Sequence, residues 1–393
     1  MRRATKIIKH ATGHMQPTLG LKTVNPPVYR GSTFTYANFD DVRDWKAFGA
    51  HSGRHGYGRS GNDLTVALES LIAKLEAGTE AIATSSGLSA IALAMTDFVA
   101  AGDQILIADN VYEPARHYAD GFLRRFDVEI TYFDPLDLDA LPSLIKPKTK
   151  ALFFEVPGSL TFEMPDAETL YGIARAHNLI SIVDNTWPTA LFYPAIERGA
   201  DVSLAAGTKY YVGHSDAFFG IVVGNERTGQ ALRRQASLMG THMGPDDVYL
   251  ALRGMRTLDV RLRAIEASAL KIAAFLDAHP KVAEVRHPAL PSCPGHEHWK
   301  AQFDGASGLF GFFLEKAYTG AQAEHLIESL DHFAIGFSWG GYESLAIHGN
   351  PKRTIDGWPA ISAGKGPLIR LQIGLEDPQD LIDDLSAALD RLP

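Results

Sequence analysis

A chain of 393 residues exceeds the size at which one hydrophobic core keeps growing, so a large domain with a smaller companion is expected and a single small module is excluded. Hydrophobic residues at 46% and charged residues at 21% lie far from the composition of disordered chains. With 37 Lys and Arg against 46 Asp and Glu, the net charge of -9 offers no footprint for a phosphate backbone, and nucleic acid is not an expected partner.

Residues 1–60 are rich in Gly, Pro, Thr and His with weak periodicity, and read as an irregular arm that packs on something else. The start MRRATKIIKHATGH lacks the apolar core of a secretory signal, and the single cysteine, Cys293, cannot close an intrachain disulfide. No run reaches the roughly 18 apolar residues of a membrane span, so a cytoplasmic protein without a membrane partner is expected. From Leu64 to Leu75, apolar residues recur every three or four positions, which predicts a helix.

Seven short apolar runs then alternate with helical stretches: AIATSS, QILIAD, EITYF, ALFFEV, LISIVD, VSLAA and FFGIVV. That alternation predicts a largely parallel sheet with helices on both faces, spanning residues 61–245. Ligands of such sheets sit beyond the carboxyl ends of the strands, which draws attention to Ser85, Ser86, Asp109, Asn110, Asp184, Asn185 and the GTK at 207–209. Residues 246–393 read as a smaller α+β domain. Asp246 and Asp247 open a helix continuing to His279, strands fall at VAEVRH, LFGFFLE, FAIGFSW and LIRLQIG, and Asp377 caps a last helix with Pro378 at its first position.

Gly56, Gly58 and Gly61 match G-x-G-x-x-G, but the HSGRH before them is no strand. The segment therefore reads as a flexible turn bearing Tyr57 and Arg59 rather than a nucleotide site. Cys293, His296 and His298 lack the paired spacing of structural zinc sites, and Pro291 and Pro294 mark a loop; no metal is expected. His51 and His55 read as solvated loop positions.

The loop from Thr84 to Leu88 opens a helix, where free N–H groups and the helix dipole form an anion seat; Ser85 or Ser86 could equally be a plain N-cap. Asp184 closes LISIVD and Lys209 follows VSLAAGT. A carboxylate and an amine at the edges of adjacent apolar strands are costly unless paired or used, the bland alternative being a capping Asp and a snorkelling Lys. With Tyr112 after a further strand, they supply a phosphate seat, an aromatic plate, a carboxylate for a ring nitrogen and an imine-forming lysine, as pyridoxal 5'-phosphate requires.

At these residues the chain resembles the Cys/Met metabolism branch of the fold-type I pyridoxal-phosphate enzymes, most closely the bacterial cystathionine β-lyases. The resemblance runs from YGRSG (57–61) to the C-terminus through VYEP (111–114), VPGSLTFE (156–163), VDNTW (183–187), GTKYYVGHSD (207–216), LRGMRTLDVRLR (252–263), HPALP (287–291), SWGGYES (338–344) and LIRLQIGLED (368–377). It implies an α/β fold of the PLP-dependent transferase type, with a mostly parallel seven-stranded sheet, helices on both faces and a smaller C-terminal α+β domain. It also implies a carbon–sulfur β-lyase that splits cystathionine or a related amino-acid thioether into a thiol, pyruvate and ammonia. Family alternatives are γ-lyase, γ-synthase and racemase activities.

Carried over by position, the resemblance gives catalytic parts to Lys209, Tyr112 and Asp184. Lys209 would hold the cofactor and then serve as general base and acid, Asp184 would pair with the pyridinium nitrogen, and Tyr112 would stack on the ring. Ser86, the backbone of Gly87 and Leu88, and the Thr208 hydroxyl would seat the phosphate. Tyr57 and Arg59 would complete that seat in a neighbouring subunit, which implies a homo-oligomer with sites shared across a dimer, and a tetramer of two such dimers. Arg370 would clamp the substrate carboxylate, with Ser338 and Trp339 beside it.

Four positions depart from the pattern. Gly56 stands where an aromatic is usual, Ser60 where a second Arg is usual, and Ser237 where a Tyr is typical. By resemblance all three lie where the far end of cystathionine is held, so a leaving group other than homocysteine is expected, a bulkier or less polar thiol. Gly207, in place of a more usual Ser or Ala, is expected to loosen the phosphate seat slightly.

Overall fold

The computed structural model describes residues 2–10, 24–48, 56–355 and 362–393; His51 and His55 lie outside them. The seven apolar runs form strands β1 (Glu80–Thr84), β2 (Gln104–Ala108), β3 (Glu129–Phe133), β4 (Thr149–Glu155), β5 (Ile180–Asp184), β6 (Val202–Ala205) and β7 (Gly220–Gly224). They make one sheet in the order β1-β7-β6-β5-β4-β2-β3. β2 to β6 pair in parallel, whereas β7 is antiparallel to both β1 and β6. β2, β5, β6 and β7 are buried along their whole length, as strands covered on both faces must be. Each Leu, Ile or Phe buried there contributes about 1.5–3 kcal/mol, enough to fix these runs as strands. The sheet's sense then delivers the residues that follow β1, β2, β4, β5 and β6 to one edge.

The predicted helix after the first glycines spans Asp63–Glu76. Asn62 caps it, its Oδ1 accepting the N–H groups of Leu64 (2.9 Å) and Thr65 (3.3 Å), and Leu64, Leu68, Leu71, Ile72 and Leu75 are buried. The second sheet contains β8 (Val282–Arg286), β9 (Leu309–Glu315), β10 (Ala334–Ile335), β11 (Leu345–Gly349) and β12 (Lys365–Gln372), in the order β10-β11-β12-β9-β8. The last helix, Pro378–Asp390, begins at the expected cap: Asp377 Oδ1 accepts the Gln379 N–H at 2.8 Å. No helix among the described residues is long and apolar enough to cross a membrane.

Three expectations need correction. The first 60 residues are not wholly irregular, because Arg3–His10 and Phe39–Phe48 are helices. Both are too short for periodicity to stand out; Ile7 is buried, and Arg3 donates to Asp304 at 2.7 Å. The helix expected to run from Asp246 to His279 is two, Pro245–Met255 and Leu258–Asp277. A Cβ at Gly254 would lie 2.1 Å from the Val212 carbonyl oxygen, and the chain then tightens, with Arg256 and Thr257 bonding back only three residues. The second of these helices serves both cores: Leu262 and Ile265 join the cluster of the large sheet, whereas Ala269, Ile272 and Leu276 join that of the small one. Finally, β11 was not expected. It pairs antiparallel with β12 and buries Leu345, Ala346 and Ile347.

Candidate active site

β6 ends at Ala205 and the chain turns at once: Lys209 N–H donates to the Ala206 carbonyl (3.0 Å), and the Lys209 carbonyl accepts from Gly213 N–H (2.8 Å). The Lys209 ammonium donates to Ser338 Oγ at 2.8 Å and lies 5.4 Å from the Trp339 ring centre. Burial, and then the charge of Arg370, bring its pKa down to about 8. The amine can thus shed its proton close to neutrality. The loop bearing Ser338 approaches this closely only because Gly340 has φ +83°; a Cβ there would sit 2.8 Å from the Lys209 carbonyl carbon.

Gly207 does not loosen its surroundings. The buried Phe219 ring fills the place of its side chain, and a Cβ would come within 2.0 Å of that ring. Gly207→Ala is therefore expected to cost about 1–3 kcal/mol by overpacking, seen as a lower midpoint in urea denaturation. An unchanged midpoint would mean that the ring moves aside freely.

Asp184 is the last residue of β5. Its Oδ1 accepts both the N–H (3.0 Å) and the hydroxyl of Thr186, which leaves Oδ2 as the open acceptor. The same Thr186 hydroxyl oxygen accepts the Ala206 N–H at 2.8 Å, tying the end of β5 to the turn that carries Lys209. Burial raises the Asp184 carboxyl, and the Thr186 hydrogen bonds oppose that rise. Tyr112 follows β2, its side chain 47% exposed, and its backbone N–H donates to Glu155 Oε1 at 2.6 Å. Its phenol is raised first by burial and then by the neighbouring Glu155 and Asp184 carboxyls, while Arg370 opposes, so these four side chains are close enough to influence one another.

The Thr84–Leu88 loop is both things its sequence allowed. Ser86 caps the helix Gly87–Thr96, its Oγ accepting the Ser89 N–H at 3.1 Å, and the first-turn N–H groups of Gly87 and Leu88 remain for an anion. A Cβ at Gly87 would fall 2.5 Å from the Ala206 Cβ, so glycine is what lets this helix N-terminus meet the Lys209 turn. Thr208 is placed otherwise than expected: its hydroxyl donates to the Phe219 carbonyl (3.1 Å) and accepts the Phe219 N–H (2.8 Å), so its proton is already engaged.

Arg370 lies on β12, between β9 and β11. Its Nη2 donates to the carbonyls of Gly336, Phe337 and Ser338 at 3.1–3.3 Å, while its buried Nε has no partner. An orphaned guanidinium nitrogen is costly, and a carboxylate would satisfy it. Trp339 meets the Tyr210 ring edge-on at 5.4 Å. Lys209, Asp184, Tyr112, Gly87, Ser338 and Arg370 are thus brought to one edge. Tyr57 and Arg59 are not: Tyr57 bridges Thr33, and Arg59 reaches the Ser237 carbonyl at 3.5 Å. Cys293 is buried with its thiol directed to the Phe162 carbonyl. Glu155 was missed, although an acid closing the apolar run ALFFEV carries the same signal as Asp184.

Chemically, the edge offers an amine of lowered proton affinity, an acid with one open oxygen, an aromatic ring, a helix N-terminus and an unsatisfied guanidinium. The chain is 38% identical over 373 residues to a protein of Haemophilus influenzae named cystathionine beta-lyase, with 94% of each covered. It is 40% identical over 380 residues to a cystathionine beta-lyase of Salmonella typhimurium, with 95% of each covered. Its fold is similar to that of a cystathionine gamma-lyase from Lactobacillus plantarum complexed with L-serine, at a TM-score of 0.88 and 29% identity over 99% of both chains. A family model described as Cys/Met metabolism PLP-dependent enzyme matches residues 4–390, and the chain belongs to that family of pyridoxal 5'-phosphate enzymes.

Proposed function

We propose that this protein is a carbon–sulfur β-lyase that converts cystathionine or a related cysteine S-conjugate to a thiol, pyruvate and ammonia. The observation that carries the proposal is the half-buried Lys209 amine, held 2.8 Å from Ser338 on the edge that also presents Asp184 and the unsatisfied Nε of Arg370. The residues fit the family's cofactor: the Gly87 and Leu88 N–H groups would receive its phosphate, Asp184 Oδ2 its ring nitrogen, Tyr112 its face and Lys209 its aldehyde carbon. When bound, the cofactor anchors the substrate amino group and draws off the electron pair left at Cα.

The chain's own groups do the rest. Arg370 Nε grips the substrate carboxylate and fixes the direction in which the Cα proton points. Lys209 Nζ, neutral in an appreciable fraction of molecules near pH 8, takes that proton and returns it to the departing sulfur. Asp184 Oδ2 would hold a proton at the ring nitrogen, and Tyr112 would cover the ring face. Ser338 holds Lys209 in reach, and Thr208 steadies the turn through Phe219.

The same proposal includes a shared oligomer in which Tyr57 and Arg59 of one copy complete the phosphate seat of another. In this division residues 1–60 form the contacting arm, 61–245 the cofactor-binding part and 246–393 the C-terminal part. The small residues Gly56, Ser60 and Ser237 favour a leaving group bulkier or less polar than homocysteine; Ser237 sits beside Arg59, next to the exposed Leu238 and Met239. Steady-state kinetics on cystathionine beside several cysteine S-conjugates, read as pyruvate and free thiol, tests both levels. The expected result is pyruvate from all, with higher kcat/KM for the less polar conjugates. A clear preference for cystathionine sinks the leaving-group reading, and 2-oxobutyrate or racemised amino acid in place of pyruvate sinks β-elimination.

A further inference from the structure

Glu155 closes β4 directly opposite Asp184 in the register of β4 and β5. Both side chains are buried. Arg353, the cation whose charge reaches Glu155, is engaged elsewhere, donating to the Asp109 carbonyl at 2.8 Å and lying 3.5 Å from Glu163. Two adjacent carboxyls in a dry interior do not both ionise, so one of them carries a proton. The hydrogen bonds decide which. Asp184 Oδ1 receives two donors from Thr186, an arrangement suited to an anion. Glu155 spreads its two donors over both oxygens: Oε1 accepts the Tyr112 N–H at 2.6 Å and Oε2 accepts from Ser159 Oγ at 2.8 Å, a hydroxyl that can turn to accept instead when the acid carries a proton.

We propose that Glu155 is a positioning residue which, as a neutral acid, holds Tyr112 in place through the Tyr112 backbone N–H and leaves Asp184 as the single anion of the pair. The proposal rests on the roles given above to Tyr112 and Asp184. In support, burial and then the charge of Asp184 push the Glu155 carboxyl well above the ordinary carboxylate range. The charged or titratable groups that face it are Asp184 from β5, Tyr112 from the turn after β2 and Arg353 from the segment after β11.

Glu155→Gln keeps the shape, the acceptor for Tyr112 and the neutral state, whereas Glu155→Ala removes all three. Cofactor-stripped full-length protein titrated with pyridoxal 5'-phosphate, followed by absorbance, gives the affinity of each variant. E155A is expected to bind the cofactor more weakly and to lose about 100-fold in kcat/KM, the scale of a misplaced group near the chemistry; E155Q is expected to restore both toward the wild type. A second readout needs no cofactor. A carboxyl with a raised folded pKa stabilises the fold fully only below its unfolded pKa, and that contribution is lost as pH rises through the folded value. The thermal midpoint of cofactor-free E155Q should therefore gain on the wild type between about pH 5 and about pH 8.

A difference between E155Q and wild type that stays constant with pH overturns the neutral state. E155A with wild-type cofactor affinity overturns the hold on Tyr112, and if E155A does not fold, E155Q binding the cofactor as weakly as Asp184→Asn does the same. Wild-type protein that takes up no cofactor would instead overturn the functional reading, and the first titration reveals it.

Discussion

Lys209→Ala is expected to lower the rate of pyruvate formation by at least about 10³-fold, within the range that a positioned general acid–base group supplies. Two losses combine. The variant has no amine to hold the cofactor, and the group beside the lost amine, Ser338 Oγ, 2.8 Å from the lysine nitrogen, is a far weaker base for the Cα proton. Arg370 and the helix N-terminus at Gly87 are untouched, so KM for the substrate should change much less than kcat. An added small amine should recover part of the rate, because it restores the missing base without restoring the side chain. A variant retaining more than about one-tenth of the wild-type kcat would remove Lys209 from proton transfer.

Asp184→Asn is expected to cost about 10²–10³ in kcat, the scale of losing one preorganised electrostatic contact at a developing charge. The substituted amide keeps the size of the side chain and an oxygen to accept the Thr186 N–H, so the turn to Ala206 should survive. It has no negative charge with which to hold a proton on a ring nitrogen. Stopped-flow and steady-state measurements should therefore show slow chemistry with a nearly normal KM. The loss should not be recovered by raising or lowering pH, since the variant has nothing at that position to titrate. A rate within about threefold of wild type would mean that this carboxylate does not act on the reacting system.

The sheet was legible because its strands are buried on both faces, which forces uninterrupted apolar runs such as LISIVD and VSLAA. The site was legible for the same reason: Asp184 and Lys209 are conspicuous because they close those runs. Glu155 carries a similar signal near the end of ALFFEV, but nothing in the linear sequence marks it as a partner of Asp184. Only the parallel pairing of β4 and β5 sets the two acids side by side.

Features decided by tertiary contact were not legible. The break at Arg256 and Thr257 follows Gly254, which lies close against Val212, and the Phe219 ring fills the place a side chain at Gly207 would need; neither neighbour is close in sequence. Gly340 likewise serves a contact with Lys209, across the gap between the two sheets' sequences. The strand β11 hides in a stretch that mixes Ser, His and Gly with three apolar residues, and only its pairing with β12 defines it. Thr208 shows the limit of carrying a role over by position, since its hydroxyl is bound to Phe219 rather than open to a ligand.

Borohydride reduction of the cofactor-loaded protein, followed by proteolysis and mass spectrometry, tests most directly whether Lys209 is the reactive amine. A single modified peptide is expected, containing GTKYYVGH with the added mass of the reduced cofactor on Lys209. Attachment at any other lysine, or loaded protein in which Lys209 is recovered unmodified, would contradict the account.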